Sequence, residues 1–384
     1  MSRILIDVTR LAGRLLKGRL PTGIDRVGLA YVAHFGARAG AVLRFGARVV
    51  ALPPEQSQAL FACLLGRPPG FRRTLAGVLA RAVLMPPAGQ ALSGAFLFNT
   101  GHSALENVGL HRYLRRHGAR LVAVVHDLIP ITHPEYCRPG ELARHTRRMA
   151  TVLEFASGVV ANSRATLDEL RVFARAGGQA LPPAVAALLA SGVEQQPAST
   201  RPLAAPYFVV LATIEPRKNH WMLLQLWRRL VERHGHAAPK LVVIGQRGWE
   251  CENVVDLLER CDLLQGAVIE LQRCGDAELA TWLRHAQALL FPSFAEGYGM
   301  PLVEALNLGT PIIASELPVF REIAGAIPDY LDPLDGPGWL SRIESYAAPD
   351  CALRTAQRRR MAGYTPPGWA AHFERVEALM EQLA

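Results

Sequence analysis

Short apolar runs of strand length alternate with stretches of helical spacing along most of this chain, and the alternation breaks once and then restarts. Segments 4–10, 41–52, 96–99, 121–127 and 158–163 read as strands, and 22–38 reads as a helix opening at a Thr-Gly turn. Segments 207–213, 240–245, 267–271, 288–293 and 310–315 are again strands, separated by helical stretches at 220–234, 253–261, 276–286 and 301–309. Strands alternating with helices predict a parallel sheet covered on both faces. The break, 194–206, is rich in Pro and polar residues and reads as an interdomain linker. The expected architecture is therefore α/β, with two Rossmann-like doubly wound domains at 1–193 and 207–384. The second is expected to include an amphipathic C-terminal helix over 367–384. In such sheets the residues just past the strands line the ligand crevice, which places Asn99, Thr100, His102, His126, Asp127, Asn162 and Ser163 on one rim.

Composition supports a globular reading. The chain has 384 residues, 50% of them hydrophobic and 20% charged, enough for two cores and too apolar for disorder. No apolar run approaches the length of a membrane span, and the first residues do not read as a signal peptide. Six cysteines without a Cys-x-x-Cys pair suit reduced thiols in a cytoplasmic protein. The net charge of +9 is uneven: residues 1–200 carry 24 Lys and Arg against 11 Asp and Glu, and residues 201–384 carry 18 against 22. A basic first half suits an anionic partner such as a membrane surface, a lipid-linked diphosphate or nucleic acid. Yet Arg supplies 39 of the 42 cations, a bias that GC-rich codon usage also produces, so charge alone names no partner. Aromatic residues, at 7%, are too few for the interleaved basic and aromatic surface of a nucleic-acid binder, and no nucleic-acid partner is expected.

The most informative segment is 291–315. Glu296 follows a strand directly, Gly297 and Gly299 flank Tyr298, and Met300-Pro301 opens a helix that carries Glu304 one turn later. Gly-x-Gly permits a tight turn, Pro suits a first helical turn, and the exposed amides of a helix N-terminus suit a diphosphate. Glu304 then stands where ribose hydroxyls can be bound. The alternative is a loop Glu and a solvated helix Glu. In 207–227 a strand ends at Glu215-Pro216-Arg217-Lys218-Asn219 before the next helix, and two adjacent cations there fit the phosphates of a leaving diphosphate. The alternative is a solvated basic turn.

On these residues the chain resembles the family-4 glycosyltransferases of the GT-B fold, which make bacterial polysaccharides and glycolipids. Segments 213–220 and 296–306 resemble the family's donor-site motifs, and 124–136 and 159–170 its N-terminal landmarks. The resemblance implies two Rossmann-like domains facing across a cleft, an acceptor-binding first domain and a nucleotide-sugar-binding second one. It implies that Arg217 and Lys218 hold the donor diphosphate, that Glu296 binds the transferred sugar and Glu304 the ribose. Gly297, Tyr298, Gly299 and Met300 would complete the donor loop, and Gly245 and Arg273 would lie near the nucleoside. Where many members carry an Arg five or six residues before the Lys, this chain has Ala212 and Thr213, and Arg217 would take that role. His126 would face the sugar, so His126, Lys218 and Glu296 form the expected catalytic set.

The implied reaction is retaining transfer of a hexosyl group from a nucleotide diphosphate sugar to a glycan or lipid-linked acceptor. GDP-mannose is the favoured donor and a UDP-sugar the alternative. A non-catalytic scaffold or a sugar-phosphate phosphorylase are the other readings. Acceptor contacts are expected at Gly23, Asp25, Arg26, His102 and Asp127, although Thr22 capping a helix explains the first group equally well and His102 suits a helix cap too. No ligand-spaced His/Cys cluster or strand-end Asp-x-Asp occurs, so neither a metal nor another cofactor is expected. The segment 70–87, with apolar residues at helical spacing beside Arg72, Arg73 and Arg81, suits either a core helix or peripheral contact with the inner face of an anionic membrane.

Overall fold

The computed structural model describes residues 3–19, 21–46, 48–66, 68–194 and 200–384. Residues 195–199 of the expected linker lie outside them. The chain divides into two compact units, the first made of 1–132, 139–189 and 369–384, the second of 133–138 and 190–368.

The first unit is built on seven strands: β1 (Ile4–Asp7), β2 (Ala39–Phe45), β3 (Arg48–Ala51), β4 (Phe96–Asn99), β5 (Arg120–Val125), β6 (Gly158–Ala161) and β7 (Ala184–Ala186). Their order is β3-β2-β1-β4-β5-β6-β7. All neighbours are parallel except β3, which folds back antiparallel on β2 as an edge. The second unit holds β8 (Tyr207–Leu211), β9 (Lys240–Ile244), β10 (Val268–Leu271), β11 (Leu289–Phe291), β12 (Ile312–Ser315) and β13 (Asp329–Leu331), all parallel, in the order β10-β9-β8-β11-β12-β13. Strands β4 and β6 are buried at every residue, as a sheet covered on both faces requires.

In each sheet the strand order reverses once, between β1 and β4 and between β8 and β11. Crossovers to either side leave the sheet on opposite faces there, and a crevice opens beyond the strand ends. Those two switch points are where ligand-binding residues belong.

One expectation is corrected. The C-terminal helix Trp369–Leu383 packs with the first unit, not the second. Its Phe373 ring meets Tyr31 and Phe35 at 5.1 and 5.4 Å, and His372 accepts from the Tyr31 hydroxyl at 3.1 Å while its other ring nitrogen donates to the Ala187 carbonyl. Amphipathic spacing shows that a helix has a face to bury, not which core receives it. Among the described residues no helix is long and apolar enough to cross a membrane.

Candidate active site

The loop after β8 closes into one 3₁₀ turn, Pro216–Lys218, and Asn219 at φ 57° turns the chain into the helix His220–His234. Asn tolerates this left-handed conformation better than most residues, and its amide donates to the Pro333 carbonyl at 2.9 Å. Across the switch point the loop after β11 brings Ser293 and Glu296 to the same place. The two loops are laced through the backbone, the Phe294 amide donating to the Arg217 carbonyl at 2.8 Å.

Glu296 is the hub. One carboxylate oxygen accepts from Arg217 at 3.0 Å; the other accepts from Ser293 Oγ at 2.7 Å and is ion-paired with Lys218 Nζ. Arg217 also reaches Glu215 at 2.7 Å and donates to the Ala295 carbonyl at 2.9 Å. The Lys218 and Glu296 side chains are only 9% and 7% exposed. Burial by itself pushes the Glu296 carboxyl up, but the Lys218 and Arg217 charges outweigh it and hold the group at about 2. Burial, with the neighbouring Arg217 charge, pulls Lys218 below its ordinary value against the attraction of Glu296. The expected pair of waiting cations is thus a balanced cluster of two cations and two carboxylates. A buried ammonium without a counter-charge is too costly to persist, so the carboxylates hold the cations in place until an anion competes for them.

Beyond Glu296, Gly299 at φ 103° caps the helix Met300–Asn307, with Pro301 in its first turn. A side chain at Gly299 would sit 2.6 Å from the Phe320 ring, so the position requires glycine twice over. Tyr298 is buried, Gly297 and Met300 are half-buried, and Glu304, one turn into the helix, is 4% exposed. Gly245 ends β9 against the Ala212 carbonyl oxygen, which would lie 1.9 Å from a Cβ there. That contact explains why Gly is needed at 245 whether or not a nucleoside lies near. Arg273 is exposed on the loop after β10, two strands from β8.

In the first unit, the rim beyond β4, β5 and β6 is held together mainly by imidazole and amide hydrogen bonds. The His126 amide donates to His102 Nε2 at 3.1 Å, His126 Nε2 donates to the Thr100 carbonyl at 2.8 Å, and Asn162 donates to the His126 carbonyl at 2.9 Å. His145 Nε2 donates to the Asp127 carbonyl at 3.1 Å, and an Asp127 oxygen accepts from the Ile129 amide. Burial lowers the pKa of His102, His126 and His145, so all three imidazoles are neutral at pH 7. With Nε2 committed to Thr100, Nδ1 is the remaining ring nitrogen of His126.

Two acceptor assignments change. Asp25 is 2% exposed, and its oxygens accept from the Thr22 amide and hydroxyl and pair with Arg10 at 2.8 Å and Arg14 at 2.7 Å. It forms the capping box of helix Gly23–Phe35, so the helix-cap alternative describes Thr22 and Asp25. The cavity beside it, lined by Asp7, Arg10 and Thr100 among others, measures only about 10 Å³, room for one water. His102, buried at φ 55°, neither caps a helix nor stands open to an acceptor; Asn107 caps the following helix. Gly23 is exposed and Arg26 half-buried on the first turn of Gly23–Phe35. Ser293 and His145 were not anticipated. Ser293 lies three residues before Glu296 and was readable as its neighbour, whereas His145 comes from mid-helix in Glu141–Phe155, where the strand-end rule gives no signal.

Residues 193–326, which carry Arg217, Lys218, Glu296 and Glu304, match the family described as Glycosyl transferases group 1. The serotype-specific mannosyltransferase WbdA of Escherichia coli is 29% identical over 255 residues, 59% of this chain and 29% of WbdA. The O-antigen chain mannosyltransferase B of Escherichia coli is 27% identical over 235 residues, 59% of this chain and 61% of that protein. The chain thus spans less than two thirds of the length of either relative. The crystal structure of Anabaena HepE in complex with UDP and glucose superposes over the full length of both chains with a TM-score of 0.70 at 16% identity. That likeness establishes the GT-B fold of two Rossmann-like domains.

Proposed function

We propose that this protein is a retaining hexosyltransferase that takes a sugar, mannose from GDP-mannose in the favoured case, from a nucleotide diphosphate donor to a hydroxyl of a glycan or lipid-linked acceptor. The observation that carries the proposal is the buried Lys218–Glu296–Arg217 cluster at the β8/β11 switch point, inside the residues that match the Glycosyl transferases group 1 family. In the proposed reaction the bond from the anomeric carbon to the diphosphate oxygen breaks, and the acceptor oxygen bonds that carbon on the same face. The acceptor proton passes to the leaving diphosphate. Lys218 and Arg217 take up the growing negative charge of that group, and Glu296, relieved of part of its pairing, accepts hydrogen bonds from the sugar hydroxyls. The amides at the start of Met300–Asn307 add to the diphosphate site and Glu304 serves the ribose. His126 serves as a neutral hydrogen-bonding group. Positive side chains stand in for a metal in this reading, so activity should survive EDTA.

The mannosyltransferase relatives support mannose, while HepE was crystallised with UDP, which keeps a UDP-sugar as the second reading. The test is thermal stabilisation by GDP, UDP, ADP and their sugars, on wild type and Lys218→Ala. Stabilisation by one diphosphate, lost in the variant, identifies the base; indifference to every nucleotide overturns the proposal. Proton NMR of the first-formed product reads the anomeric configuration. Cytoplasmic peripheral docking on an anionic membrane is part of the proposal, supported by the helix Phe71–Leu84, where Leu84 is 86% exposed beside exposed Arg81. Flotation with anionic liposomes tests it.

A further inference from the structure

A cavity of about 460 Å³ opens in the second unit beside the charged cluster, within the size range of small-molecule sites. Its walls come from the starts of the helices His220–His234 and Glu252–Arg260, from Phe294 after β11 and from Pro333-Leu334 after β13. It shares two residues with the donor cluster: Glu215, which pairs with Arg217 at 2.7 Å, and Phe294, whose amide holds the Arg217 carbonyl. None of the donor residues Lys218, Glu296 or Glu304 lines it.

The lining has a definite chemistry. Trp221, on the first turn of its helix, is 46% exposed, a large ring left facing water. Around it stand the carboxylates of Glu215 and Glu250 and the amides of Asn219 and Asn253. No Lys or Arg lines the cavity, and Glu215 is already paired with Arg217, so a phosphate or a nucleotide diphosphate would meet the Glu250 carboxylate and no lining cation. A pyranose ring suits it: the apolar C–H face lies on the indole, and the hydroxyls donate to carboxylates and exchange hydrogen bonds with carboxamides. Two independent features mark the site as built. Asn219 and Glu250 both hold positive φ, 57° and 47°, a conformation that costs energy and collects at functional sites. His220, 2% exposed in the cavity wall, has both ring nitrogens buried without a protein partner.

We propose that this cavity is a sugar-binding subsite for a neutral pyranose residue of the acceptor glycan, with Trp221 as its stacking platform and Asn253 and Glu250 as hydroxyl partners. The inference rests on the transferase reading for its choice of ligand. It makes the second unit a contributor to acceptor recognition as well as to donor binding.

The test uses the full chain, with α-linked mannotriose as the glycan probe and GDP and UDP as nucleotide probes, followed by calorimetry and saturation-transfer NMR. Trp221→Ala and Asn253→Ala are both at exposed positions, so neither threatens the fold. Trp221→Ala is expected to weaken mannotriose binding by about tenfold or more and Asn253→Ala by about threefold, with nucleotide stabilisation unchanged in both. Equal mannotriose affinity in wild type and Trp221→Ala overturns the subsite, as does a wild type that binds no mannotriose. Loss of nucleotide binding in Trp221→Ala would hand the cavity to the donor and also overturn it. The transferase reading fails separately, if wild type shows no nucleotide stabilisation; Trp221-dependent mannotriose binding in that protein would leave a glycan-binding module.

Discussion

The two units share a doubly wound sheet with one switch point each, yet they fill the rim beyond it in opposite ways. In the first unit the rim beyond β4, β5 and β6 is closed: the uncharged side chains of His102, His126, His145 and Asn162 hydrogen-bond to main chain, the charges of Asp25, Arg10 and Arg14 beside them are paired with one another, and the neighbouring cavity by Asp25 admits one water. In the second unit the rim is ionic and open: Lys218 and Arg217 share Glu296, and a cavity of about 460 Å³ adjoins them. A common topology therefore fixes where a site can form but not its chemistry. Imidazoles and amides position backbone, which suits holding a neutral substrate. Paired charges suit a ligand that brings its own charge.

The contrast is broken most severely at Lys218. Lys218→Ala removes the buried cation opposite Glu296, and turnover should fall by about a hundredfold to a thousandfold, read as kcat with donor saturating. Glu296 keeps Arg217 and Ser293, so the variant should still fold, as circular dichroism will check. Asp25→Ala probes the first unit. Two arginines lose their shared buried carboxylate, and unfolding free energy should drop by about 3 kcal/mol in a denaturant titration. Nucleotide affinity should stay within about twofold, because the site it would serve lies in the other unit.

Acid sharpens the comparison further. His102, His111, His126, His145 and His372 in the first unit have pKa values lowered mainly by burial, against His220 alone among the described residues of the second. A buried neutral histidine binds its proton more readily once unfolded. Its stabilising contribution is therefore complete above the unfolded value near 6.5 and is lost as pH falls below it. Glu296, held at about 2 against an ordinary 4.5, contributes fully above 4.5 and loses that contribution only as pH falls from there toward 2. Amide hydrogen exchange between pH 7 and 3 should show protection lost first in β4, β5 and β6, with β8 and β11 following below about 4.5. Simultaneous loss would mean that the histidines do not set the acid limit.

Much of this was readable beforehand. The apolar runs that became β4, β8 and β9, polar only at Asn99 and Lys240 on their ends, are recognisable without a structure, because a strand covered on both faces has little room for polar residues. The segment around Gly299 and Pro301 was readable for the same kind of reason, since each residue has few other uses. β7 and β13 were not: each is three residues long and half-buried, and leaves no periodicity to detect. The positions of Arg217, Lys218, Glu296 and His126 at strand ends followed from strand boundaries and a family likeness. Their partners did not.

By itself, then, the sequence determined the two sheets, the helix entry at Gly299 and the residue types gathered at each rim, because backbone conformation and burial act on near neighbours. Only the tertiary structure decided that Lys218 and Glu296 neutralise each other, that Asp25 belongs to a cap and two arginines, and that the last helix covers the first unit. The first and last of these depend on contacts between residues far apart in the chain, where local spacing carries no information and packing chooses the partner; the Asp25 cap is local, three residues from Thr22, and there the structure chose between two readings that the sequence left equal.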